Sequence, residues 1–137
     1  MTLLEQLDIK HPIFLAPMAG VSTPQLAAEV SNQGGLGSLG LGASSVEAAR
    51  QQILETQVLT HHPFQVNFFC HQSSVLDHDV AKQWIEYLIP QFEKYNAAPP
   101  TELECIYPSF LDHDDYLNLV LETKPKAVSF HFGIPHP

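Results

Sequence analysis

Four short apolar runs, separated by segments with helical spacing, constrain the fold of this chain more than any other feature. Each run begins or ends beside a proline or a glycine, and together they cover residues 12–16, 36–41, 64–69 and 126–132. Between them, apolar residues recur every three or four positions, as on one face of an α-helix. Strands that are too apolar to face water and that alternate with helices favour a parallel sheet covered by helices. The chain is therefore predicted to be an α/β protein with the repeating order βαβαβαβ.

Four strands and four helices fit two architectures. They could form a small open α/β sheet, or the first half of an eight-stranded (β/α)8 barrel, which takes about 250 residues. The sequence stops at the end of a predicted strand, at His136-Pro137, where no helix follows. Because an open-sheet domain usually finishes with a helix, we expect residues 1–137 to be a single partial domain. It would be the N-terminal half of a TIM barrel, with about four βα units.

Short polar residues and glycines mark where the helices begin and end. Ser22 or Thr23 can cap the first predicted helix, and Gly34 lies where a left-handed residue would end it. Ser44 and Glu47 have the spacing of a capping box, which predicts the start of the second helix.

Composition excludes several classes of protein. Apolar residues make up 45% of the 137 residues and charged residues 15%, which is typical of a globular protein. A net charge of -9 with six Lys and Arg argues against a nucleic-acid surface. Neither a membrane-length apolar run nor a signal-peptide pattern is present. We expect a cytoplasmic protein in which Cys70 and Cys105 are reduced.

The carboxyl ends of the predicted strands are the expected ligand site, because ligands bind there in parallel α/β folds. The first of these ends is the segment Ala16, Pro17, Met18, Ala19 and Gly20. Small residues let the backbone approach a flat or anionic group closely. This segment is therefore predicted to face a cofactor, although Gly20 could equally serve only a turn.

Two polar side chains near later strand ends could carry chemistry. Asn67 is the amide in an otherwise largely apolar strand, so it must be hydrogen-bonded, either structurally or to the edge of a heterocycle. Histidine side chains exchange protons readily at physiological pH, so His131 could accept a proton or pair with an anion, although a structural role fits it as well. Neither a metal-ligand spacing nor a nucleophile elbow nor a Walker-type phosphate loop is found, and no metal is predicted.

Four sequence blocks occur in order along the chain. They are Pro12-Ile-Phe-Leu-Ala-Pro-Met-Ala-Gly-Val-Ser-Thr-Pro, Ala27-Ala-Glu-Val-Ser-Asn-Gln-Gly-Gly-Leu-Gly-Ser-Leu-Gly, Pro63-Phe-Gln-Val-Asn-Phe-Phe and Val128-Ser-Phe-His-Phe-Gly-Ile-Pro. Together they resemble the nitronate monooxygenases, formerly called 2-nitropropane dioxygenases. The last block resembles the branch that oxidises propionate 3-nitronate.

This resemblance implies an FMN-containing (β/α)8 barrel with a smaller inserted domain. Such an enzyme oxidises alkyl nitronates with O2 to a carbonyl compound and nitrite. By resemblance, residues 16–20 lie beside the flavin ring, Asn67 binds FMN and His131 is catalytic. Ser129 and Phe69, close to these residues in the same blocks, are predicted to contact the substrate.

The chain is shorter than such an enzyme, because the family runs on for roughly another barrel half. The later glycine-rich junctions that hold the FMN phosphate are missing, so we expect this piece alone to have little activity. Its partners would be the small-molecule nitronate and O2, without nucleic acid or membrane. Half a barrel also leaves unpaired sheet edges, which favour self-association.

Two other functions stay open at this point. One is an FMN-dependent enoyl-acyl-carrier-protein reductase, whose first strand ends in a similar Gly-Met-Ala turn but whose fourth-strand block differs from residues 129–135. The other is a non-catalytic half-barrel that dimerises across its open edges.

Overall fold

The computed structural model describes residues 1–73, 75–112 and 114–135. One or two helices precede each strand, and the bounds of the elements are α1 Leu3–Leu7, α2 Pro24–Asn32, β1 Gly37–Gly40, α3 Val46–Leu59, β2 Phe64–Phe69, α4 His78–Lys94, α5 Asp114–Thr123 and β3 Ala127–His131. The predicted α/β class with a parallel sheet is confirmed. The predicted chain end at His136-Pro137 lies outside the described residues.

The sheet has the strand order β1-β2-β3, and both neighbouring pairs are parallel. In this register Gly40 lies beside Asn67, Asn67 beside Ser129, and Phe69 beside His131. The carboxyl ends of all three strands therefore meet at one edge of the sheet, as the sequence predicts.

The predicted strand over residues 12–16 is wrong in extent. It makes a single parallel bridge, between Phe14 and Leu36. The Leu15 N–H donates to the Leu36 carbonyl at 2.9 Å, and the Leu36 N–H donates to Ile13 at 2.9 Å. Pro12 and Pro17 have no N–H with which to extend this ladder, so the segment follows β1 without becoming a full strand.

The observed ends of the helices confirm the predictions from the sequence at two places and differ from them at a third. Thr23 caps α2, and Gly34 follows that helix with φ of 88°. The Gly34 and Gly35 N–H groups donate back to Ser31 and Val30, which is a Schellman motif. The cap of α3 is Ser45 and not Ser44, because the Ser45 hydroxyl accepts from the backbone N–H three residues later. Helix α1, which the sequence analysis does not predict, is held by a capping box of Thr2 and Glu5.

One face of the sheet packs against helices. The side chains of this buried cluster come from the helices α2, α3 and α5 and from the strands β1 and β2 with the residue that follows β1, and they are Ala27, Leu39, Leu41, Ala49, Ile53, Phe64, Val66, Phe68, Tyr116 and Leu119. Successive side chains of a strand point to opposite faces. The opposite face therefore carries the alternate residues, which include Gly40, Asn67, Phe69, Ser129 and His131.

The chain divides into two compact units. One comprises Met1–Gln72 and Tyr107–Pro137 and holds the sheet, and the other comprises Ser73–Ile106 and holds α4. In the part of the chain that the structure describes, no helix combines the length and the apolar character needed to cross a bilayer. The assignment of 1–137 to one partial barrel domain stays a prediction.

Candidate active site

Three polar side chains form a connected cluster across β2 and β3. Asn67 Nδ2 donates to Ser129 Oγ at 2.9 Å, and Asn67 Oδ1 lies 3.1 Å from His131 Nδ1. The Ser129 hydroxyl donates in turn to the Val66 carbonyl at 3.5 Å. The register explains the cluster, because Ser129 lies directly beside Asn67 and His131 lies two residues further along the same face.

The cluster runs from the interior of this unit to its surface. Asn67 is only 2% exposed, Ser129 is half-buried and His131 is exposed. The half-buried Phe69 ring stands edge-on to the His131 ring, with their centroids 6.4 Å apart, and edge-on to the Phe132 ring at 5.1 Å. The histidine therefore has a buried polar partner behind it and apolar rings beside it.

The segment of residues 16–20 lies against the same edge of the sheet. A Cβ on Gly40 would come within 2.9 Å of Met18 C and Ala19 N, so only glycine lets this backbone cross β1. Gly40 is the residue beside Asn67 in the sheet. The residues of the segment are exposed or half-buried, and Gly20 has φ of 73° with open space where a side chain would stand. Its backbone conformation by itself accounts for glycine at position 20.

Ser22 closes this segment into a loop, a role that the sequence analysis did not find. Its hydroxyl accepts from the Met18 N–H at 2.8 Å and donates to the Ala16 carbonyl at 3.1 Å. Its own N–H donates to the Met18 carbonyl at 2.8 Å. Since Thr23 caps α2, the adjacent hydroxyl of Ser22 is left for the loop, and this pairing of hydroxyls before Pro24 is the signal that could have revealed it.

The backbone after His131 is unusual. Phe132 has φ of 68°, in the left-handed region that a bulky residue rarely adopts. A Cβ on Gly133 would stand 2.2 Å from the Cys70 carbonyl oxygen, and the Cys70 N–H donates to the His131 carbonyl at 2.8 Å. Strained backbone of this kind is frequent at functional sites. Burial raises the pKa of the Cys70 thiol, so this thiol is less readily ionised than usual.

The structure brings the sequence-predicted site residues to one edge of the sheet. They are Ala16, Pro17, Met18, Ala19, Gly20, Asn67, Phe69, Ser129 and His131. Their individual roles with cofactor and substrate stay predictions. Among the described residues, no group of three or more His, Cys, Asp or Glu side chains is placed to hold a metal ion.

Comparisons with known proteins show which family the chain resembles. The family model described as nitronate monooxygenase matches residues 1–137. A nitronate monooxygenase of Paraburkholderia phytofirmans is 55% identical over 133 residues, which are 97% of this chain and 36% of that protein. The nitronate monooxygenase of Pseudomonas aeruginosa is 50% identical over 129 residues, or 94% of this chain and 37% of that protein.

A solved structure is also similar to this chain over most of its length. Nitroalkane oxidase from Streptomyces ansochromogenes superimposes with a TM-score of 0.80 and 33% identity, covering 98% of this chain and 37% of that one. The chain thus spans little more than a third of the length of the proteins that it matches. Because the family model matches residues 1–137, the chain belongs to the nitronate monooxygenase family.

Proposed function

We propose that this chain is the N-terminal half of an FMN-binding (β/α)8 barrel, and that the barrel oxidises alkyl nitronates such as propionate 3-nitronate. The reaction consumes O2 and gives a carbonyl compound and nitrite. Three parallel strands in chain order, each followed or preceded by a helix, support the barrel. The likeness to 37% of a nitroalkane oxidase chain supports it further.

The observation that carries this proposal is the pairing of His131 with buried Asn67 at the carboxyl ends of the strands, beside the segment of residues 16–20. Parallel α/β folds bind their ligands at this edge. The edge combines apolar surface, from Phe69 and Phe132, with the imidazole of His131. That combination suits a small ligand with an anionic group and an apolar alkyl part.

The residues present fit a flat heterocycle such as the flavin ring. Gly40 lets the Met18–Ala19 backbone lie against β1, so the segment of residues 16–20 stands at the carboxyl ends of the strands, where the flavin ring would bind. Ala19 and Gly20 are exposed and offer backbone rather than bulk. When bound, FMN would supply the electron-accepting chemistry, and residues 16–20 would orient its ring.

The side chains of the cluster would act on the substrate. A nitronate is already an anion, so protonated His131 would hold its nitro oxygens by a charge-assisted hydrogen bond. Phe69 would pack against the alkyl part and keep water away from it. A neutral nitroalkane would make a different demand, because His131 would then have to remove a proton from carbon.

A chimaera tests this function directly. The 133 matching residues of the Paraburkholderia phytofirmans relative are replaced by this chain, and flavin absorbance and nitrite release from propionate 3-nitronate are measured. We expect bound flavin and nitrite release. His131→Gln should lower kcat/KM by about 10²- to 10³-fold, the range for one lost hydrogen-bond donor that stabilises negative charge on the substrate.

The matched control is His62→Gln, since His62 is exposed and precedes β2, at the opposite edge of the sheet. It should leave nitrite release unchanged. A flavin-loaded chimaera that releases no nitrite, or that instead oxidises NADH with an enoyl thioester, would overturn the proposal.

A further inference from the structure

We propose that Asn67 is a positioning residue that holds neutral His131 as the tautomer protonated at Nδ1. The lone pair of the imidazole is then on Nε2, the nitrogen that does not contact Asn67. The tautomer itself is a property of this chain alone. Only its catalytic consequence rests on the proposed function.

The direction of each hydrogen bond in the cluster follows from its buried end. The Val66 carbonyl can only accept, and the Ser129 hydroxyl is directed towards it at 3.5 Å, a long separation for such a bond, so we infer that the hydroxyl proton lies on this side. With its proton used, Ser129 Oγ accepts from Asn67, and the group facing it must be Nδ2, at 2.9 Å. This contact favours the amide orientation in which Nδ2 is turned towards Ser129.

The orientation of the Asn67 amide then determines which ring nitrogen of neutral His131 carries the proton. With Nδ2 directed at Ser129, Oδ1 faces His131 Nδ1 at 3.1 Å. Two acceptors cannot form a hydrogen bond, so Nδ1 must carry the proton. Which ring nitrogen of a histidine is protonated is commonly set in this way, by the partner of the other nitrogen.

The burial of Asn67 strengthens its effect on the His131 tautomer. Asn67 is 2% exposed, so water cannot readily replace either of its partners, and a hydrogen bond left unmade there would be unfavourable. An unconstrained neutral imidazole prefers the opposite tautomer, with the proton on Nε2. Asn67 would therefore reverse the intrinsic preference of His131.

The consequence for the reaction concerns Nε2. On neutral His131 this atom carries a lone pair and can accept a proton, and after protonation it can donate a hydrogen bond to an anionic nitro group. Without Asn67, the neutral ring would carry its N–H at Nε2 and could accept a proton only at Nδ1, the nitrogen on the Asn67 side. Asn67 is a positioning residue because it acts through His131.

Nitrogen NMR reads the tautomer without flavin, substrate or turnover. The full 137-residue chain is labelled with ¹⁵N-histidine, and long-range proton–nitrogen spectra are recorded at a pH where the imidazoles are neutral. His131→Gln identifies the signals of His131. We expect a pyrrole-type shift at Nδ1 and a pyridine-type shift at Nε2. The Nδ1–H tautomer should exceed the Nε2–H tautomer by about tenfold, which one ordinary hydrogen bond supports.

Three variants separate this role from general structure. Asn67→Leu should remove the excess, Asn67→Asp should keep the proton on Nδ1 because a carboxylate oxygen still accepts, and Ser129→Ala should reduce the excess by freeing the amide to turn. The matched control is Gln65→Leu, the same change two residues earlier on the same face of β2, which should leave His131 unaltered. Circular dichroism checks the fold of each.

The outcomes are distinct. An Nε2–H tautomer or unfolded-peptide shifts for His131 in the unaltered chain would overturn the proposal, and so would an Nδ1–H tautomer that persists in a folded Asn67→Leu. If that variant unfolds, Asn67→Asp and Ser129→Ala decide the question. Because no nitrite is measured, these results are independent of whether the chimaera oxidises nitronates.

Discussion

A single hydroxyl, that of Ser22, organises the loop that meets the strand edge. It is 5% exposed and satisfies the Met18 N–H and the Ala16 carbonyl at once. Alanine at this position would leave both backbone groups without these partners inside the loop. An unsatisfied buried polar group is costly, so the geometry of residues 16–20 depends on a side chain outside that segment.

Ser22→Ala should therefore lower the free energy of unfolding by about 1–3 kcal/mol, as measured by urea denaturation. It should also weaken flavin binding by the chimaera, because the loop against Gly40 loses its closure. The comparison is Ser45→Ala, which removes the cap of α3 and should cost about 1 kcal/mol without affecting flavin. Equal effects of both changes on flavin would contradict this role of Ser22.

The two thiols should differ sharply in reactivity. Cys70 is 3% exposed and burial raises its pKa, whereas Cys105 is exposed. Since the thiolate is the reactive form, a disulfide reagent at neutral pH should modify Cys105 first and Cys70 slower by at least roughly tenfold. Cys105→Ser should remove only the fast phase. Two fast phases in the folded protein would show that Cys70 is not protected.

At the scale of elements, glycines decide how closely helix and strand can pack. A Cβ on Gly37 would lie 2.0 Å from the Ala27 carbonyl oxygen of α2, so it would push this helix away from β1. Gly20 differs, because its left-handed φ of 73° is the only obstacle and no atom lies within 4 Å. One position is fixed by packing and the other by backbone conformation.

Gly37→Ala should consequently cost about 3 kcal/mol or more in the free energy of unfolding, through overpacking. Gly20→Ala should cost only about 1–2 kcal/mol, the penalty of a left-handed L-residue. Urea titrations of both variants measure the difference. A smaller loss for Gly37→Ala than for Gly20→Ala would mean that α2 and β1 are less tightly packed than described.

Periodicity and turn chemistry predict most of these elements, because they depend on neighbouring residues. Thr23, Pro24 and Gly34 mark α2 correctly, and Gly133 follows the end of β3. The segment 12–16 was harder to predict, since its extent depends on hydrogen bonds with β1. The pairing of Asn67 with His131 joins residues 64 apart in sequence. Alternation gives the face of each side chain but not the register that brings these two together.

At the scale of the whole chain, the two outer strands of the sheet should govern how copies of this chain associate with one another. Beside β1 lies the segment 12–16, where Ile13 is 60% exposed and Phe14 is 44% exposed. Among the described residues, β3 pairs with β2 alone. Exposed apolar strand margins readily pair with another copy. The net charge of -9 opposes such pairing, and salt screens this repulsion.

The 137-residue chain is therefore expected to self-associate in a concentration-dependent way, more strongly as ionic strength rises, and sedimentation velocity measures it. Ile13→Lys should shift the equilibrium towards monomer, because pairing with another copy would bury the charged lysine side chain, which is unfavourable. Val58→Lys is the matched control, since Val58 is 83% exposed on α3 and the charge changes equally. A monomer at every concentration would contradict association. Equal shifts by both variants would show that charge, rather than the margin at residue 13, controls it.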